Sequence, residues 1–237
     1  MKTRNFDSFN NKKTLFKVFL EFFSNLFFVY CLIIGFALII FSTVTIECVV
    51  KGSSMVPTYN NYTTSKMNDV VFVNTMDKNI KYGDIVVCRT EDESIIKRVI
   101  GVAGDIIDIV WDENEYKLEL NGKIIEEDYI AVSQDPRIPT SHRNGMNHTY
   151  NMFSDLKSSS PELFDENGKF VVPTNSIFVL GDNRSVSVDS SSLGAFDYTT
   201  IEGKVELVKY YGTSDFSFYY DYIIEGKFIT TIINIIN

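Results

Sequence analysis

The sequence predicts a mainly β domain carried behind a single N-terminal transmembrane helix, and three observations predict it. One uncharged apolar segment near the N-terminus is long enough to cross a bilayer. Beyond it the chain breaks into short β-branched runs bounded by Gly, Asn and Asp. No sustained period of 3.6 follows, so little helix is expected outside the first segment.

Met1 to Glu21 carries Lys2, Arg4, Lys12, Lys13 and Lys17 against Asp7 and Glu21, and no residue from Phe22 to Ile46 is charged. That run exceeds the ~20 residues needed to span the hydrocarbon core, and it outlasts the ~7–15-residue apolar region of a cleavable signal peptide. The expected division is a cytoplasmic tail over 1–21, a transmembrane anchor over 22–46 and an extracytoplasmic β-rich domain over 47–237. The basic flank holds the N-terminus inside. The chain is thus expected to be a single-pass protein of the cell membrane, with membrane lipid as one partner.

The expected strands are Asn68 to Val73, Asp84 to Cys88, Ser94 to Ile96, Asp105 to Val110 and Tyr116 to Leu120. Asp108 and Glu119 alternate with apolar neighbours, as in half-buried strands. Asn121-Gly122 before Lys123-Ile124-Ile125 is a hairpin signal, because both turn residues tolerate positive φ. Residues 131 to 170 are rich in Pro, Gly, Ser and Asn and predict a loop-rich excursion with one short helical turn around Ser154 to Lys157. Strand texture returns at Phe170 to Val172 and Ser176 to Leu180. The tail from Phe216 is aromatic and then apolar, but Asp221, Glu225 and Lys227 leave too little for a second span. A final strand, or a patch touching the bilayer, is expected there.

The net charge of −9 excludes a nucleic-acid partner, since phosphate binding requires a basic patch. Cys31, Cys48 and Cys88 make no disulfide framework and no Cys-x-x-Cys pair. With His142 and His148 the only histidines, no zinc site is expected.

Val50-Lys51-Gly52-Ser53-Ser54-Met55-Val56-Pro57-Thr58 lies just beyond the anchor. Pro57 biases Val56 away from helix, so strand or turn is expected around Ser54. On local sequence Ser54 is a solvated loop hydroxyl, and Lys97 is a strand lysine with its head in water. Their company reverses both readings. Downstream stand Tyr82-Gly83-Asp84-Ile85-Val86-Val87, Lys97-Arg98-Val99-Ile100-Gly101-Val102-Ala103-Gly104-Asp105 and Gly181-Asp182-Asn183-Arg184-Ser185-Val186-Ser187-Val188-Asp189-Ser190. Four stretches in this order, behind an N-terminal anchor, resemble the boxes of type I signal peptidases. Those are membrane-anchored Ser/Lys endopeptidases that remove signal peptides from exported proteins. The resemblance runs from about residue 26 to 209, and outside the boxes it is one of layout.

The resemblance implies an antiparallel, barrel-like catalytic β domain with 106–175 inserted as a variable subdomain. It implies Ser54 as nucleophile, Lys97 as general base and Ser187 as the hydroxyl that orients the lysine. The chemistry is coherent: a serine hydroxyl needs a base, no histidine lies in any box, and desolvation lowers a lysine's pKa. The Ser54 backbone N–H is the expected oxyanion donor. The family's serine two positions earlier is Gly52 here, which leaves the second donor open. Asp182, Arg184, Asp189 and Arg98 are expected to hold the site together. Ser191 stands where the family carries an arginine, so Arg98 becomes the expected partner of Asp189. Ala103 stands where a proline is usual. Met55 is expected in the membrane-facing wall, and with Gly52 it makes up the substrate-binding positions. The implied substrate is an exported preprotein, bound as an extended peptide along strand edges near Glu47 to Ser54 and before Lys97. No metal or organic cofactor is implied. The alternative is a membrane-tethered peptide-binding module without catalysis.

Overall fold

In the computed structural model the described residues are 4–60, 68–134, 142–211, 218–224 and 227–231. The chain divides into two units, Met1–Thr45 and Ile46–Asn237.

The first unit is the helix α1 (Arg4–Val44), 41 residues long. Its stretch Phe16–Ile40 has a mean hydropathy of 2.4 and none of it is buried. A helix apolar on every side matches a membrane-spanning segment in length and composition. The helix starts well before Phe22, the expected start of the anchor. Helical hydrogen bonding continues through Lys17 and Glu21, both good helix formers.

The second unit is mostly antiparallel β. Its strands are β1 (Thr45–Val49), β2 (Val70–Asn74), β3 (Ile85–Arg89), β4 (Ser94–Val102), β5 (Ile106–Asp112), β6 (Glu115–Leu120) and β7 (Lys123–Ile124), then β8 (Phe170–Val171), β9 (Ser176–Leu180), β10 (Phe196–Asp197), β11 (Ile201–Tyr211), β12 (Phe218–Ile224) and β13 (Lys227–Thr231). The main sheet runs β1-β2-β11-β3-β4-β9-β10, with β12 and β13 added on β11. It is a curled half-barrel rather than a closed one, since its path ends at β1 and β10. The second sheet, β7-β6-β5-β8, is built between Ile106 and Val171.

Asn121 and Gly122 adopt φ of 51° and 78° and join β6 to β7, as the hairpin signal predicts. Asp108 and Glu119 face each other across β5 and β6, and the Lys169 ammonium sits between the two carboxylates. In β9 every residue is buried, because it is used from both sides. Ile177 and Val179 pack with Val86, Val99 and Ile201, while Phe178 and Leu180 pack with Ile107, Phe153 and Phe170. A third cluster joins Val50, Met55 and Tyr59 to Ile85, Val87, Val205 and Val208.

The helix α2 (Met146–Ser159) corrects the expectation of one turn around Ser154 to Lys157. Met146, Thr149, Phe153 and Leu156 form its buried stripe, at helical spacing within an otherwise polar segment. The helix α3 (Ser190–Leu193) is one short turn. The expected tail strand is present as β12 and β13, whereas residues 232–237 and the prolines at 136 and 139 lie outside the described residues. All three cysteines are free thiols.

Candidate active site

Two elements bring the chemistry together: the turn after β1, and the paired strands β4 and β9. The turn is held at both ends. The Val50 N–H donates to the Asp69 carbonyl (2.9 Å) and the Tyr59 N–H to the Met55 carbonyl (2.8 Å). Ser54 is half-buried within it. Lys97 lies in β4 opposite Val86 and is 3% exposed. Its Nζ stands 3.0 Å from Ser54 Oγ and donates to the Ile96 carbonyl at 3.1 Å. Burial pushes the Lys97 ammonium below the ordinary lysine value, and Asp189, Cys88, Glu93 and Asp182 oppose that shift. An amine that sheds its proton more readily is therefore within hydrogen-bond reach of a hydroxyl.

The loop that follows β9 closes the site from the other side. The Asn183 N–H donates to the Ser54 carbonyl (2.9 Å), and Asn183 Nδ2 donates to the Ser53 carbonyl (3.1 Å). Gly181 packs so tightly that a Cβ there would lie 2.6 Å from the Ser54 carbonyl oxygen and 2.3 Å from Ser187 Oγ. Only glycine lets the two backbones approach this closely.

Two expectations need correction here. Ser187 is buried at 2% exposure, yet its Oγ makes no hydrogen bond among the described residues, to Lys97 or otherwise. The amine's hydrogen bonds go to Ser54 and Ile96 instead. Met55 does not line an open wall: it is 2% exposed and packed in the core cluster of Val50, Tyr59, Ile85 and Val87. Gly52 is exposed, with φ 79°, and its carbonyl accepts from Asn60 Nδ2 at 3.0 Å.

Arg98 does not pair with Asp189. Its Nε and Nη2 grip both carboxylate oxygens of Asp182, at 2.8 Å and 2.7 Å. The Thr58 hydroxyl donates to the same carboxylate. Asp189 is instead satisfied locally. One oxygen accepts from the Gly181 N–H (2.9 Å), and the other from the Ser191 hydroxyl (2.8 Å) and N–H (3.1 Å), capping α3. Ser191 thus supplies the partner that Asp189 would otherwise need.

The family described as signal peptidase, peptidase S26, matches residues 23–210. The chain belongs to that signal peptidase family. Signal peptidase I S of Bacillus subtilis (strain 168) is 34% identical over 178 residues, 73% of this chain and 82% of the relative. Signal peptidase IB of Staphylococcus aureus (strain MRSA252) is 30% identical over 175 residues, 71% of this chain and 79% of the relative. A solved signal peptidase I from Enterococcus faecalis V583 shares 25% identity, covering 54% of this chain and 97% of that one with a TM-score of 0.36.

Around Arg184, this signal peptidase also holds two residues that its sequence did not announce, Glu127 and Tyr129. Arg184 is wholly buried, and its Nε donates to the Gly181 carbonyl (2.9 Å) while its Nη1 and Nη2 embrace the Glu127 carboxylate. The Tyr129 ring lies over Arg98, 4.1 Å from Cζ, and its hydroxyl donates to Glu127 Oε1 at 2.6 Å. Glu127 reads in sequence as part of an exposed acidic run, Glu126-Glu127-Asp128. The one available signal was indirect, because a buried arginine needs a carboxylate. A cavity of about 330 Å³ lies beside this network, with Glu127 and Met146 in its wall, but neither Ser54 nor Lys97 lines it.

Proposed function

We propose that Ser54 and Lys97 are the nucleophile and general base of the signal peptidase reaction, acting on exported preproteins. The observation that carries this is the 3.0 Å approach of a buried amine to the Ser54 hydroxyl. Neutral Lys97 takes the Ser54 proton as Oγ attacks the scissile carbonyl carbon. The Ser54 N–H, which makes no hydrogen bond among the described residues, is the donor left to stabilise the developing oxyanion. The C–N bond then breaks, the Lys97 proton passes to the leaving amine, and the mature chain departs. Water attacks the remaining ester, gives its proton to Lys97, and Lys97 returns that proton to Oγ as the signal peptide leaves with a carboxylate.

Strand geometry supports an extended substrate. β1 is an end strand of the main sheet, and β4 pairs with β9 only from Arg98 onward, which leaves the Ser94–Lys97 edge without a strand on that side among the described residues. A peptide between the two edges would lie across Ser54 and Lys97. The basic residues before Phe22 support an N-terminus in the cytoplasm, so that the domain after Glu47 meets preproteins at the outer membrane surface. The segment 106–175, which holds the second sheet, serves as the inserted subdomain.

The test incubates the full chain in detergent with a preprotein and locates any cut by mass spectrometry, with Ser54→Ala alongside. One cut after the signal segment by the wild type and none by Ser54→Ala is the expected result. Turnover of Ser54→Ala near the wild-type rate would remove Ser54 from the reaction.

A further inference from the structure

Glu127 lies outside every box, yet its carboxylate is the centre of a buried polar network that reaches both sides of the site. We propose that Glu127, with Tyr129, is a positioning residue for the cleavage reaction. It fixes the loop Gly181–Asn183 against the nucleophile and fixes Arg98 beside the base. The proposal rests on the Ser54 and Lys97 reading above.

The side chains of Glu127 and Arg184 are 5% and 0% exposed. Arg184 is fastened at both ends, by Glu127 through Nη1 (2.9 Å) and by the Gly181 carbonyl through Nε (2.9 Å). Gly181 lies so near the Ser54 carbonyl that a Cβ would come within 2.6 Å of its oxygen, and Asn183, two residues on, donates its N–H to that same carbonyl. One line of contacts thus runs from Glu127 through Arg184 and the loop to the nucleophile's own peptide group.

A second line runs toward the base. Tyr129 donates its hydroxyl to Glu127 and lays its ring on Arg98, the residue after Lys97 in β4. Arg98 in turn clamps Asp182, in the same loop. The Ala131 N–H adds a third strap, donating to the Asp182 carbonyl at 2.9 Å. Residues 127–131 therefore grip the loop through Arg184, Arg98 and the backbone together. A carboxylate that merely neutralised Arg184 would need only the first of these contacts. The geometry that the network holds is the Ser54–Lys97 approach, and a shift of about 1 Å at a reacting pair costs on the order of 10²-fold in rate.

Three variants test this in the cleavage assay: Glu127→Gln, Tyr129→Phe, and the double replacement Glu127→Met with Arg184→Met. Glu127→Gln leaves a buried guanidinium uncompensated and can fail to fold, whereas an apolar pair of similar volume often holds stability near that of the ion pair. The double variant should therefore melt near wild type yet lose about tenfold or more in kcat, with KM changed less than about twofold. Tyr129→Phe keeps the ring on Arg98 and should lose about threefold in kcat by the same misplacement. A folded double variant with wild-type kcat, a loss carried by KM, or a loss that tracks the unfolded fraction in circular dichroism would overturn the proposal. Ser54→Ala is measured in the same assay. If it cleaves normally, the nucleophile assignment fails first; if it is dead while the double variant works, the positioning role alone fails.

Discussion

Lys97 is buried, and desolvation is the first cause of its lowered pKa. The unfolded chain binds this proton up to about pH 10.4, whereas the folded protein releases it earlier. Between the two values the folded state holds fewer protons, so stability rises with pH across that window and falls as pH drops through it. Lys97→Met removes the buried amine and fills similar space. It should melt at or above the wild type at neutral pH and show a flatter dependence toward about pH 10.4. Circular-dichroism melts across that range check this, and a neutral-pH melt well below wild type would count against a desolvated amine. The approach of Lys97 to Ser54 could be anticipated because each stands in a box with fixed neighbours. The pairing of the carboxylates could not, because sequence gives no distance between Arg98, Asp182 and Asp189. Asp189 was expected to need Arg98, and the Ser191 hydroxyl met that need locally.

At the scale of elements, β9 matches the predicted run Ser176 to Leu180 residue for residue, because continuous β-branched and aromatic burial admits one reading. β4 extends six residues past the predicted Ser94 to Ile96, since Lys97 and Arg98 interrupt the apolar texture there while buried partners hold both in the strand. α2 was masked by Asn, Ser, Asp and Lys in its exposed positions, although its buried stripe has helical spacing. Phe153 from that helix meets Phe164 at 5.2 Å and Phe170 and Phe178 at 6.3 Å between ring centroids. Phe153→Ala would empty this junction and should cost about 3–5 kcal/mol in denaturant unfolding. A cost under about 1 kcal/mol would mean that the helix does not anchor the second sheet.

For the whole molecule, the anchor and the β unit were the most legible features, because membrane length and strand texture are properties of long stretches rather than of single contacts. The half-barrel itself followed from the resemblance, as strand order leaves no local mark. Orientation in the bilayer is open to a direct test: protease added to sealed right-side-out vesicles should digest the region after Glu47 and spare the first 21 residues. Digestion of the N-terminal residues alone would reverse the assignment. The most direct test of the central claim is the cleavage rate of Lys97→Arg in full-length protein. Arginine keeps the positive charge and the length but does not give up its proton at any working pH. A base role for Lys97 predicts a folded protein with no measurable cleavage beside an active wild type. A Lys97→Arg protein that retains a substantial fraction of the wild-type rate would make Lys97 a binding or structural cation and contradict the Ser54/Lys97 mechanism.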